Sequence, residues 1–162
     1  MDFFNQTGKL AIGSRLRMLT DKITVDAAAI YKMFGVDLKP KWFPVFFVLS
    51  RGEAKTITSI AKEIGHSHPS VSNIIKEMVA KGLVKETKDK SDGRRNMVML
   101  SAKGKRMSDS FSEQCIDVTA AIEQITQQTR NDLWEAIEEW ENLLLDKSLL
   151  ERVKEAKKER ES

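Results

Sequence analysis

The 162-residue sequence predicts a mainly α-helical fold carrying one small β-hairpin. Three observations predict it. Apolar residues recur at steps of three and four along most of the chain, the spacing of a single helix face. A helical pattern with a short polar side follows a turn glycine, Gly65. Directly behind it, two short β-type runs flank the turn-forming stretch DKSDGRR.

The first stripe is Leu16, Leu19, Ile23, Ala27, Ile30 and Phe34, a long helix that Gly35 ends. Pro40 and Pro44 mark a loop and the start of a short helix holding Trp42, Phe43, Phe46, Phe47 and Leu49. Ser50, Arg51 and Gly52 close it. Thr58 is the expected cap of the next helix, with Ile60, Ala61 and Ile64 facing inward. Gly65 then stands where the chain must turn with positive φ, which glycine does without penalty.

Ser67 or His68 is expected to cap the following helix, with Pro69 in the first turn, where its missing N–H matters least. Val71, Ile74, Ile75, Met78 and Val79 follow i, i+3, i+4, i+7, i+8 and are expected to face inward. The opposite face presents Ser70, Asn73, Lys76 and Glu77, with Ser72 at the flank. Such a short, mostly uncharged polar face suits a DNA major groove. The spacing Ala61, Gly65, Val71 is that of a helix-turn-helix: a small residue at the crossing, the turn, then an apolar lock.

Gly82 ends that helix. Leu83, Val84 and 85–87 read as a strand, and 96–100 as its partner. Between them lies the tip, 89–95, with the cations Lys90, Arg94 and Arg95. A hairpin directly after a recognition helix is a wing, whose cations reach phosphates or a narrow minor groove.

Two long helices are expected beyond the wing. Ser101 caps the first, whose apolar positions are Met107, Phe111, Cys115, Val118, Ile122 and Ile125. After a break at 127–129, the second carries Leu133, Trp134, Ile137, Trp140, Leu144, Leu145 and Leu149 before the charged tail KEAKKERES. The first and last helices are apolar along much of their length, and a domain this small has little interior for them. Pairing with a second copy buries that surface in an isologous interface. A monomeric bundle is the alternative.

Composition narrows the function class. Hydrophobic residues make up 41% and charged ones 31%, as in soluble globular proteins rather than disordered or membrane ones. No apolar run approaches the ~18–20 residues of a membrane span. The N-terminal MDFFNQTGKL lacks the layout of a secretory signal, and one cysteine excludes an intrachain disulfide, so a cytoplasmic protein is expected. Charge is uneven along the chain. Residues 1–65 carry 10 Lys/Arg against 6 Asp/Glu (10 − 6 = +4), residues 66–106 carry 10 against 4 (10 − 4 = +6), and residues 107–162 carry 7 against 14 (7 − 14 = −7). A basic middle of this kind is expected where one segment meets a polyanion.

No nucleophile elbow, phosphate loop, HExxH or carboxylate pair with an accompanying histidine occurs, so no enzyme and no cofactor are expected. His66 and His68, two apart across a turn and without carboxylates, make a poor metal set with Cys115, and no metal is expected. Cys115 shares its stripe with Phe111 and Val118 and reads as a small buried hydrophobe rather than a redox sensor.

The run from Ile57 to Gly104 resembles the core of the MarR family of winged helix-turn-helix regulators. The likeness rests on the helix-turn-helix, the KGLV junction at 81–84, the wing pattern D-x-x-D-x-R and the LSAKG exit at 100–104. The flanking long helices match the family's dimerisation helices in number and order, so the resemblance extends over nearly the whole chain. It implies one domain, 1–162: helices 1–36 and 102–159 for dimerisation, and a winged helix-turn-helix lobe, 40–101. It implies a homodimer that binds a near-palindromic operator in double-stranded DNA and regulates transcription, with repression the expected outcome. The implied DNA contacts are Ser67, His68, Ser70, Ser72, Asn73 and Lys76 from the helix, with Lys90, Arg94 and Arg95 from the wing. Small-molecule effectors are a further implied partner, and Tyr31, Trp42, Phe43 and Phe46 are the candidate pocket; core packing accounts for the same residues.

One departure stands out. Many members have an arginine two residues after the first wing aspartate, where this chain has Ser91. Lys90 or Arg95 would have to replace it. Arg94 matches the second wing arginine, which in the family pairs with the aspartate matching Asp89. The alternative function, a winged-helix protein-interaction module without DNA binding, draws its support from Ser91.

Overall fold

The computed structural model describes residues 2–88 and 96–162. The order is α1 (Asp2–Thr7), a 3-10 turn (Gly8–Ala11), α2 (Ile12–Met33), a second 3-10 turn (Pro40–Trp42), α3 (Phe43–Ser50), α4 (Ile57–Glu63), α5 (His68–Ala80), β1 (Val84–Lys88), β2 (Asn96–Leu100), α6 (Ala102–Gln128), α7 (Leu133–Asp146) and α8 (Leu149–Glu161). This is the mainly helical winged fold that the sequence predicts. The chain divides into two compact units, Met1–Cys115 and Ile116–Ser162.

The core of the first unit gathers around α3. Its sequence FPVFFVLS is apolar nearly all round, so it is buried on most sides, with Val45, Phe46, Val48 and Leu49 inaccessible. Against it pack Ile60 and Ala61 of α4, four residues of α5, Val98 and Leu100 of the hairpin, and Phe111 of α6. The Phe46 and Phe111 rings meet edge to face at 4.8 Å, a geometry favoured by the aromatic quadrupole.

β1 and β2 pair antiparallel from Val84↔Leu100 to Lys88↔Asn96. Lys55 adds a one-residue rung on the far side of β2, with Lys55 N donating to Val98 O at 2.9 Å and Val98 N to Lys55 O at 2.7 Å. That rung was not visible in the sequence, because a single paired residue leaves no alternating pattern.

Several boundaries differ from expectation. The α4 cap is Thr56, not Thr58: Thr56 is extended, and its Oγ1 accepts from Ser59 N at 3.1 Å, whereas Thr58 already lies inside the first turn. Val79, expected to face inward, is 39% exposed. At about 100° per residue, eight steps from Val71 carry it some 80° round the axis, off the buried arc. The final helix is two helices. Lys147 is extended, and Ser148 opens α8 with a reciprocal capping box to Glu151, which satisfies two otherwise unpaired N–H groups. A short α1 and a 3-10 turn also precede α2, which the sequence did not suggest.

Large apolar side chains are left exposed on the long helices. They include Leu16, Leu19 and Ile23 on α2, and Leu133, Trp134, Ile137 and Trp140 on α7.

Candidate nucleic-acid interface

The site is built from a turn and two caps. α4 gives way at Ile64, Gly65 takes φ +66°, and His66 N reaches back to Ala61 O at 3.0 Å, a Schellman closure that needs a residue in the left-handed region. Ser67 is then extended, and its hydroxyl accepts from Ser70 N at 3.4 Å. His68 and Pro69 open α5, where a proline N–H would have had no partner.

Four apolar side chains of α5, Val71, Ile74, Ile75 and Met78, are buried and fix its rotation. What remains outward follows from that. Ser67, His68, Ser70, Asn73 and Lys76 are exposed, with Ser72 half-buried at the flank. Ser70, Asn73 and Lys76, spaced by three, form one row.

Glu77 does not belong to that open row, contrary to the sequence reading. Its carboxylate accepts from Trp42 Nε1 at 3.0 Å, from Lys41 Nζ at 2.6 Å and from Lys39 Nζ at 3.3 Å. Trp42 is 1% exposed, and a buried indole N–H requires an acceptor; Glu77 supplies it from α5. The Lys39 ammonium also lies 5.0 Å over the Trp42 ring. The Lys41 hydrogen bond, then those of Trp42 and Lys39, pull the Glu77 carboxyl down from 4.5 to about 2 against its partial desolvation. The sequence reading paired neither residue, because Trp42 and Glu77 lie 35 positions apart.

Beside this tie runs an open groove of about 310 Å³. Pro40, Lys41 and Pro44 form one wall, and His66, Ser70, Asn73, Ile74 and Glu77 the other.

The hairpin is fastened to α5 and α6 by two of the motifs that carry the family resemblance, KGLV and LSAKG. Leu83 N returns to Met78 O at 3.0 Å, and Ser101 N donates to Leu83 O at 2.9 Å. The Ser101 hydroxyl donates to Gly82 O at 2.5 Å and accepts from Gly104 N at 3.1 Å, so it caps α6 and closes the KGLV junction together. Beyond Val84 every residue of β1 is exposed, including Lys85 and Lys88. Lys90, Ser91, Arg94 and Arg95 lie outside the described residues.

The four side chains expected around an effector pocket are placed mainly as packing. Tyr31, Trp42 and Phe46 are each under 5% exposed, and only Phe43 reaches the surface, at 39%. The hydrophobic cluster closes over them, and neither this groove nor the cleft between Leu49 and Ser108 is lined by any of the four. Burial, with the nearby Cys115 charge adding and a Gln114 hydrogen bond opposing, pushes the Tyr31 hydroxyl up to about 12. Cys115 is half-buried, and desolvation raises its thiol. Among the described residues, no helix is long and apolar enough to cross a membrane.

A capped helix-turn-helix, an exposed polar row on its second helix and a hairpin immediately after it define a winged helix-turn-helix fold. Residues 36–95 match the sequence profile of the MarR family, and this winged helix-turn-helix is a MarR-family segment. No curated protein matches the chain in sequence.

Solved structures similar to it include the transcriptional repressor CouR bound to a 23-mer DNA duplex, with a TM-score of 0.63 at 20% identity, covering 86% of this chain and 96% of that one. The PcaV transcriptional regulator from Streptomyces coelicolor, in complex with its natural ligand, aligns with a TM-score of 0.61 at 13% identity over 84% of this chain and 92% of that one. For the S. aureus MepR–DNA complex the values are 0.51, 21%, 78% and 98%. At these identities the likeness establishes the fold.

Proposed function

We propose that the protein is a homodimeric regulator that binds double-stranded DNA sequence-specifically and represses transcription in the cytoplasm. The observation that carries this reading is the rotation of α5: its aliphatic side is locked in the core, and Ser70, Asn73 and Lys76 are left outward in a row. Asn73 has the donor–acceptor pair that matches adenine N6 and N7. Ser67, His68 and Ser72, around the start of α5, are assigned to backbone phosphates or neighbouring bases. Lys90, Arg94 and Arg95 of the wing are assigned to phosphates.

The exposed apolar stripes on α2 and α7 support a dimer, with 1–36 and 102–159 as its arms and 40–101 as the DNA-binding lobe. Two recognition helices related by a twofold axis would read a near-palindrome, with half-sites about one helical turn apart. A small-molecule effector would act by changing the separation of the two lobes. In support, CouR and MepR were solved on DNA and PcaV with a ligand. A protein-interaction module is the second reading, favoured by Ser91 at the arginine position of the wing.

The two readings part in a salt titration of duplex binding, followed by fluorescence anisotropy. A dimer making about six or more phosphate contacts gives a log–log slope of roughly −5 or steeper. Absence of duplex binding at low salt would favour the interaction module.

A further inference from the structure

We infer that the Lys39–Trp42 turn is a second DNA-backbone contact, in which Lys39 and Lys41, held beside the recognition helix by Glu77, meet the phosphates along one wall of the major groove. The inference rests on the DNA-binding reading above and extends it to a segment outside both the recognition helix and the wing.

Placement is the first ground. The groove wall made by Pro40, Lys41 and Pro44 faces Ser70, Asn73 and Glu77 along α5. An α-helix with its side chains is about 10–12 Å across, and the major groove is about 12 Å wide. A helix seated there fills it, so whatever flanks the helix meets the phosphate rim. The Lys39–Trp42 turn is the element that flanks it on the side of Ser70 and Asn73.

Charge is the second ground. One lysine would neutralise Glu77, and Trp42 Nε1 already donates to the same carboxylate. The second lysine leaves the cluster at a net +1 (two Lys, one Glu), a surplus that an internal tie has no need of and a phosphate contact uses. Without the lysines, Glu77 would set a bare carboxylate beside the phosphates.

Availability is the third. The side chains of Lys39 and Lys41 are 55% and 56% exposed while bound to Glu77. Each ammonium has three donors, and Glu77 engages one from each, so further donors can meet a phosphate oxygen without releasing the carboxylate. Glu77 thus acts as a positioning residue that pre-orders two flexible side chains.

The test uses the full chain, a random-sequence duplex and binding isotherms at about 50–300 mM KCl, comparing wild type, K39Q/K41Q and K39Q/K41Q/E77Q. Circular dichroism checks that each variant is folded. Both variants are expected to bind more weakly, with the slope flatter by about 0.9 per lost phosphate contact, or roughly 2 per protomer. Glutamine at position 77 still offers Trp42 an acceptor, so the triple variant keeps that tie while removing any uncovered carboxylate. An unchanged slope in both variants, or recovery of the wild-type slope in the triple variant, would show that the lysines serve Glu77 alone and overturns the inference while leaving the DNA reading intact. Wild type that binds no duplex overturns both.

Discussion

Gly104 lies directly against the carbonyl of Leu83, where α6 leaves the hairpin. A Cβ at Gly104 would collide with that oxygen and press on Leu100 at 3.3 Å. The carbonyl has little room to yield, since it already accepts from Ser101 N at 2.9 Å. Gly104→Ala gains about 1 kcal/mol of helix propensity but meets an overpacking penalty of about 1–3 kcal/mol against fixed backbone. The urea midpoint is therefore expected to fall; a rise would mean that α6 is free to move off the hairpin.

Phe111 is the side chain by which α6 enters the lobe core. It is 1% exposed and lies 4.8 Å from Phe46 and 5.8 Å from Phe43, centroid to centroid. Phe111→Ala is expected to lower stability by about 3–5 kcal/mol, the range for deleting a buried aromatic ring. Chemical denaturation measures this directly, and a loss under 1 kcal/mol would contradict the packing described here.

The Glu77 tie carries a pH signature. Its carboxyl is lowered from 4.5 to about 2, so the folded state favours the charged form. The associated stability is complete above the ordinary carboxyl range and is lost as pH falls from about 4.5 through about 2. Urea midpoints of wild type and Glu77→Gln should differ by a constant amount above pH 5 and converge below it. A difference that stayed constant down to pH 2 would mean that the ionised carboxylate contributes nothing to the tie.

Within the DNA reading, Asn73 and the wing cations should fail in different ways. Asn73→Ala is expected to reduce discrimination between sequences by about 1–3 kcal/mol, the value of one bidentate base contact. Arg95→Ala should weaken every sequence alike and flatten the salt slope by about one. Competition binding with specific and random duplexes separates the two; equal loss of preference in both variants contradicts these roles.

How far the sequence could be read depended on the range of the interaction. Val71, Ile74, Ile75 and Met78 announced the buried side of α5 by spacing alone, because all four lie on one helix face and need only that face to be covered. The turn at Gly65 was equally plain, since few other residues accept φ +66°. Spacing pointed to Thr58 rather than Thr56, because the cap is whichever residue the incoming chain leaves extended, and Lys55 settles that by pairing with Val98.

Glu77 misled for a similar reason. Its partner Trp42 lies 35 residues away, and helical spacing assigns a residue to a side without saying what waits there. The Ser148 break was legible as S-x-x-E before α8, yet Leu144, Leu145 and Leu149 kept an unbroken apolar rhythm across it. In the structure the local cap prevails over the stripe: Lys147 is extended and Ser148 starts a new helix.

Selection of duplexes from a random pool by the 162-residue chain, followed by hydroxyl-radical footprinting of the enriched site, tests the central claim most directly. If paired α5 helices present Ser70, Asn73 and Lys76 to base edges, the enriched sequence is nearly palindromic, with two protected half-sites about 10–10.5 base pairs apart, centre to centre. A pool that shows no enrichment, or a single unpaired footprint, would contradict it.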